Sequence, residues 1–375
     1  MTGIYVHLPF CPYICPYCDF AKWPHKESAA RRYMEALCGE IDAAAAGDGE
    51  HTVFLGGGTP NTYAAAEIAE LLARIASKFP AARPPEVTIE VNPELVTAGA
   101  LKTYAAAGVT RLSIGVQSFV EAEIRTLGRR HDAAQVRAAV AAARSAGIES
   151  VSLDLMFAVP GQTKESWRTS LETAIALAPD HISAYGLTVE EGTPYADWRD
   201  REPGVFPDQD LEGDLYEIAI DTLEPAGFEH YEISNFALSG HRCAHNANYW
   251  SNGEYIGFGV GAASYRNGVR STHTRDLDAY VSAASQGRAI PGQSERLEGA
   301  RRAGEAVMLA LRTAQGLSFA AFKERYGLEF LECYASIVEP YREAGLLEVD
   351  AASARLTKRG RFVANDICAT FITLP

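Results

Sequence analysis

The sequence predicts an α/β chain: a parallel sheet covered by helices, followed by a small C-terminal α+β module. Three observations carry this expectation. Six short β-rich runs are each followed by a loop and an Ala-rich amphipathic stretch, the chemically unusual residues all fall just after those runs, and the texture changes beyond about Arg296. Alternating βα units in order imply a parallel sheet with helices outside it. Near-continuous apolar strands of this kind suit either a doubly wound sheet or a partial barrel, and both place ligands at the carboxyl ends of the strands.

The strand candidates are Ile4 to Leu8, Thr52 to Leu55, Val87 to Val91, Arg111 to Val116, Val151 to Phe157 and His181 to Leu187. Between the second and third, Ile68, Leu71, Leu72, Ile75 and Phe79 recur at the spacing of one buried helical face. Cys11 follows the first strand and Gly56-Gly57-Gly58-Thr59-Pro60 the second. Glu90-Val91-Asn92-Pro93 ends the third and Gln117-Ser118 the fourth, while Asp154 lies late in the fifth and Thr188 ends the sixth. The odd chemistry is thus expected on one rim.

Asp197 to Pro207 turns polar and reads as a linker or excursion, with a helix from about Asp208 to Leu223 after it. A loop-rich stretch follows, holding Tyr231-Glu232-Ile233-Ser234-Asn235-Phe236 and His245-Asn246-Ala247-Asn248-Tyr249-Trp250, and Gly253 to Tyr265 is rich in Gly and small residues. Helical patterns at Ala300 to Arg312, Ser318 to Tyr326 and Phe330 to Glu343 precede short strands around Leu346 to Val349 and Arg355 to Leu356, then a last helix after Gly360. That is the order of a winged-helix module. Lys358, Arg359 and Arg361 are too few for DNA recognition, so a lid or protein-contact role is expected instead.

Three thiols crowd into Cys11-Pro-Tyr-Ile-Cys15-Pro-Tyr-Cys18. A zinc site normally closes with a fourth protein ligand, and Phe20, two residues beyond the last thiol, cannot coordinate. Three cysteines without a fourth suggest an iron–sulfur cluster with one iron open to a ligand. The glycines after the second strand permit close backbone approach, and their N–H groups can hold a carboxylate or phosphate. Glu90 and Asp154, with Gln117 and Arg129 as polar companions, suit an amine and ribose hydroxyls, and an amino-acid-bearing nucleoside fits that mixture.

A net charge of −14 argues against a nucleic-acid partner. No apolar run is long enough for a membrane span, and the start lacks the regions of a secretory signal, so a cytoplasmic protein is expected. Cys38, Cys243, Cys333 and Cys368 are scattered and form no disulfide framework, which suits a reducing compartment.

CxxxCxxC after a first strand and a GGTP loop resemble the radical S-adenosylmethionine (SAM) superfamily, whose fold is a partial (β/α)6 barrel. YVHLPFC, GGGTP, EVNP, RLSIGVQSF, LGRRH, DLMFAVPGQT and HNANYW further resemble, over nearly the whole chain, the oxygen-independent coproporphyrinogen III oxidase group. The oxidases carry a further cysteine where this chain has Phe20, and a long arm ahead of the first strand, whereas this chain begins four residues before Tyr5. Both departures, with the HNxxYW motif, point to the HemW haem-chaperone branch.

The resemblance implies a [4Fe-4S] cluster on Cys11, Cys15 and Cys18, and SAM contacts by Tyr5, Gly57, Gly58, Thr59, Glu90, Gln117, Arg129 and Asp154. Tyr17 and Thr188 match positions that touch a second SAM in the oxidases. The motif makes His245 the expected axial haem ligand, with Cys243 as a competitor and a buried, hydrogen-bonded histidine as the structural alternative. Many relatives have His where this chain has Ala263. The implied organisation is a barrel over 1–235 with the cluster and SAM sites, a connecting segment over 236–295 with the haem motif, and a winged-helix-like domain over 296–375. The implied partners are haem, acceptor haemoproteins of a respiratory and membrane-associated kind, a reductant protein for the cluster and a second copy in a homodimer, at a position peripheral to the inner membrane. The alternative function is oxidative decarboxylation of coproporphyrinogen III.

Overall fold

The computed structural model describes residues 1–47, 49–83 and 85–372. The six expected runs form β1 (Thr2–Leu8), β2 (His51–Gly57), β3 (Glu86–Val91), β4 (Arg111–Gln117), β5 (Ser150–Phe157) and β6 (His181–Gly186). They lie side by side in chain order, every neighbouring pair parallel.

Two further groups extend this sheet. Beyond β6 comes the hairpin β7 (Glu229–Glu232) and β8 (Asn235–Ala237), with β8 antiparallel to β6. On the other side β9 (Tyr255–Phe258) pairs parallel with β1, and β10 (Ala263–Arg266), β11 (Val269–His273) and β12 (Gly292–Arg296) continue it antiparallel. The twelve-strand order β12-β11-β10-β9-β1-β2-β3-β4-β5-β6-β8-β7 ends on two different edges, so the barrel is open.

Alternation along the strands separates two environments. Ile4, Val6, Val53, Leu55, Ile89, Leu112, Ile114, Val151, Leu153 and Ile182 face the helices and form the main core. The other face carries Phe54, Glu90, Arg111, Ser113, Asp154, His181 and Ser183, which line a cleft. A closed eight-stranded barrel fills its centre with branched apolar side chains. Here charged and hydroxyl side chains stand among apolar ones, and space is kept for a ligand.

Two sequence expectations are corrected, and a stretch with no element predicted from sequence is filled. Asp197 to Pro207 is not a linker: its first half belongs to the helix Pro194–Arg201, begun by Thr193, whose hydroxyl accepts the Ala196 N–H at 3.3 Å, with Pro194 in the first turn. Tyr231 to Phe236, read as loop, is the β7–β8 hairpin, whose strands are too short to show a periodic pattern. The glycine-rich stretch after Gly253 supplies β9 and β10, because a Cβ on Gly257 would sit 2.2 Å from the Ala263 carbonyl oxygen. That glycine marks a close strand approach and not a loop.

Residues from Ala303 to Phe371 build a second, smaller core. The helices Gly299–Leu311, Phe319–Tyr326 and Phe330–Glu343 pack with a three-stranded sheet of β13 (Leu317–Ser318), β14 (Leu347–Val349) and β15 (Ser353–Leu356), in the order β13-β15-β14. Among the described residues no helix is long and apolar enough to cross a membrane.

Candidate cluster and nucleoside site

The rim expected from sequence exists as one cleft of about 460 Å³, lined by Cys11, Cys15 and Cys18 at its mouth. All three thiols are half-exposed and free. The loop that carries them leaves β1 and returns through a two-residue parallel pairing of Phe10–Cys11 with Trp23–Pro24. Among the described residues no three His, Cys, Asp or Glu side chains converge as ligands of a single ion would. A cubane asks something else, since each thiolate binds a different iron.

The triple glycine is dictated by crowding. A Cβ on Gly56 would lie 2.7 Å from a Glu90 carboxylate oxygen, one on Gly58 would lie 2.6 Å from the Leu8 carbonyl, and one on Gly57 would lie 2.2 Å from the His7 ring at φ +104. The loop amides are engaged inside the fold, one of them holding a carboxylate of the chain itself. Gly57 N–H donates to Glu90 at 3.1 Å, Gly58 N–H to the Leu8 carbonyl at 2.9 Å and Thr59 N–H to the Phe10 carbonyl at 3.0 Å. The Thr59 hydroxyl instead bonds Cys11.

Arg129 places a buried guanidinium beside the cysteine loop. It donates to Asn92 Oδ1 at 2.9 Å and to the Gly115 carbonyl at 2.5 Å, and lies 3.8 Å from Cys15 Sγ. Its Nε is buried with no protein partner, an unmet donor at the cleft. Gln117, at the end of β4, holds φ 65, a strained value for a residue with a side chain. It too lines the cleft.

Asp154 sits deeper. Ser113 and Ser183 each donate to it at 2.7 Å and Ser152 at 3.2 Å. Burial pushes its pKa up, and those hydroxyls oppose the shift. Glu90 is pushed up to about 7 by burial and then by Asp154, against the Gly57 N–H. Two carboxylates thus face one space, where they can accept from hydroxyls and an ammonium group.

Tyr17 and Thr188 also line the cleft. Tyr5 does not: its hydroxyl donates to His7 Nδ1 at 3.0 Å, and its ring stacks on Phe54, which is in the lining. His7 Nε2–H donates to the Ala21 carbonyl at 2.7 Å, so Tyr5 and His7 pin the return of the cysteine loop. His7, Asn92, Ser113 and Ser183 were assigned no role from sequence. EVNP and YVHLPFC already contained two of them, but common polar residues carry no signal until the fold brings them together.

His245, the expected axial haem ligand, is buried with both ring nitrogens bonded. It is 1% exposed, Nδ1 is bonded to Thr52 Oγ1 at 2.8 Å and Nε2 to Tyr249 Oη at 2.9 Å. Burial lowers its pKa to about 4. Cys243 and Asn246 reach the floor of the cleft, but the Cys243 thiol is buried and donates to Glu86 at 3.7 Å.

Residues 5–174 match the Radical SAM superfamily and residues 297–363 the HemN C-terminal domain. Heme chaperone HemW of Bacillus subtilis (strain 168) is 34% identical over 99% of either chain. Heme chaperone HemW of Escherichia coli (strain K12) is 34% identical over 99% of this chain and 98% of its own. The solved structure of Escherichia coli coproporphyrinogen III oxidase (HemN), a radical SAM enzyme, superposes with a TM-score of 0.87 at 26% identity, covering 99% of this chain and 90% of that one. With relatives at this identity over almost its whole length, the chain belongs to the HemW haem chaperones of the radical SAM superfamily.

Proposed function

We propose that the chain holds a [4Fe-4S] cluster on Cys11, Cys15 and Cys18, binds SAM in the adjoining cleft, carries haem and passes it to acceptor haemoproteins. The observation that carries this reading is the meeting of three free thiols with Glu90, Arg129 and Asp154 around one cavity. When bound, the cluster and SAM supply one-electron chemistry. The chain's own part is positioning: Arg129 offers a buried cation to a carboxylate, Glu90 accepts from an ammonium group, and Asp154, fixed by three hydroxyls, accepts from ribose hydroxyls. Respiratory, membrane-associated acceptors, a reductant protein, a homodimer and a peripheral place at the inner membrane belong to the same proposal.

The second reading, oxidative decarboxylation of coproporphyrinogen III, is supported by the likeness to the oxidase structure. Phe20 weighs against it: it is 64% exposed on the cleft lining, at the position where the oxidases carry a further cysteine. Anaerobic reconstitution, Mössbauer spectroscopy, haem titration and a coproporphyrinogen assay on one sample test both. The expected result is a cubane whose unique iron changes on adding SAM, bound haem and no protoporphyrinogen. Protoporphyrinogen formation would replace the chaperone reading with the oxidase one, and a zinc-only sample would remove the cluster altogether.

A further inference from the structure

The cysteine loop is braced on one flank by a carboxylate that does not itself line the cleft. Tyr13 stands between Cys11 and Cys15, and its hydroxyl donates to Glu94 Oε1 at 2.6 Å. The Arg130 guanidinium carbon lies 4.6 Å over the centre of the same ring. The middle of the loop is thus held at the edge of Tyr13 by a charged hydrogen bond and at its face by a cation. Glu94 Oε1 also accepts from Asn92 Nδ2 at 3.2 Å, and Asn92 Oδ1 accepts from Arg129 at 2.9 Å. A carboxylate can only accept and a guanidinium only donate, so the Asn92 amide has one orientation between them. One oxygen of Glu94 therefore fixes both the thiol loop and the amide that aims Arg129.

The other oxygen has different surroundings. Glu94 Oε2 and His131 Nδ1 lie 3.8 Å apart, both buried and neither with a hydrogen-bond partner among the described residues. Burial, and then Arg129, hold the His131 pKa down to about 4, so the ring is neutral at pH 7. Its Nε2–H donates to the Val116 carbonyl at 2.9 Å, which leaves Nδ1 a lone pair. Two acceptors meet there with no proton between them, a local cost that the bonds of Oε1 offset.

We infer that Glu94 is a positioning residue for the SAM site: through Tyr13 it sets the cysteine loop, through Asn92 it aims Arg129, and so it holds the thiols and the buried cation in a fixed relation. The inference rests on the reading that a cluster and SAM occupy this cleft.

SAM titration of the cluster-loaded full chain, followed by the electron paramagnetic resonance spectrum of the reduced cluster, tests it with Glu94→Ala, Glu94→Gln and Tyr13→Phe. Removing a group that orients the residues of a metal site typically costs about 10–100-fold in affinity, so Glu94→Ala is expected to weaken SAM binding by about tenfold and to alter the spectrum. Glu94→Gln keeps an acceptor for Tyr13 and Asn92 and turns an N–H toward His131 Nδ1, so it should match the unsubstituted chain in both. Tyr13→Phe cuts only the branch to the loop, and should alter the spectrum while weakening SAM binding less than Glu94→Ala does. A folded Glu94→Ala chain with unchanged affinity and spectrum would overturn the inference, as would a Gln variant no better than the Ala one. If Glu94→Ala does not fold, Tyr13→Phe decides, and an unchanged spectrum there overturns it. If the unsubstituted chain takes up no cluster or no SAM, the proposed function fails first and the inference falls with it.

Discussion

Glu90 shows at the scale of one residue how the cleft is tuned before any ligand arrives. Its pKa rises from 4.5 to about 7, chiefly through burial and then through the nearby Asp154 carboxylate. A group whose folded pKa lies above its unfolded value contributes stability that is complete below the unfolded pKa and lost as pH rises through the folded one. The window is therefore pH 4.5 to about 7, and the full swing is on the order of 3 kcal/mol. Denaturant unfolding of the ligand-free chain across that window should show stability falling with pH, and Glu90→Gln should flatten the slope. An unchanged slope in the variant would assign the effect elsewhere. An ammonium ligand needs the ionised form, so SAM affinity should rise over the same window. The sequence announced Glu90 and Asp154 because a carboxylate late in an apolar strand is conspicuous. It did not announce Asn92 or the serines around Asp154, whose identity is ordinary and whose convergence belongs to the tertiary fold.

At the scale of an element, the helix Ala244–Trp250 is instructive because it is too short to be stable alone. Its N-terminus is capped from outside: the Glu86 carboxylate, at the start of β3, accepts the N–H groups of Ala244 at 3.0 Å and His245 at 2.9 Å. Its inner face is fastened by the His245 ring, bonded to β2 on one nitrogen and to Tyr249 on the other. His245→Ala removes a packed ring and leaves the buried Thr52 hydroxyl without that partner, which should cost roughly 2–4 kcal/mol. A fall in the thermal midpoint is the expected outcome, and an unchanged midpoint would show that the ring does not hold the helix. The motif was visible in the sequence, but its role was not. A His-aromatic cluster reads the same whether it holds a macrocycle or ties a helix to a sheet, and the tie through both ring nitrogens appears only in the fold. The helix at Pro194 was legible in principle, through Thr193 and Pro194, but polar composition outweighed that capping signal.

Across the whole molecule, the two cores differ in what they share. The main core runs from Ile4 to Ala284 and the second from Ala303 to Phe371, and beside the Tyr216–Phe362 ring contact the junction between them carries a set of polar bonds. Ile233 N–H donates to the Arg312 carbonyl, Ala314 N–H to the Tyr231 carbonyl, Lys358 pairs with Asp221 at 2.7 Å and Arg361 bonds the His230 ring at 2.6 Å. Polar junctions of this kind resemble transient interfaces more than continuous cores, so the two halves should unfold as separate cooperative units. Calorimetry of the reconstituted chain is then expected to give two transitions. SAM, whose proposed contacts all lie in the larger half, should raise only that half's transition, by about 2.7 kcal/mol of apparent stability at a hundredfold excess over its dissociation constant. A single transition raised as a whole by SAM would mean that the junction couples the halves more tightly than its chemistry implies. The parallel order of β1 to β6 followed from the sequence because every unit repeated the same apolar period. The outer strands did not, because β7 to β12 are short, half-exposed or glycine-bearing, and they become strands only when β1 and β6 are there to pair with.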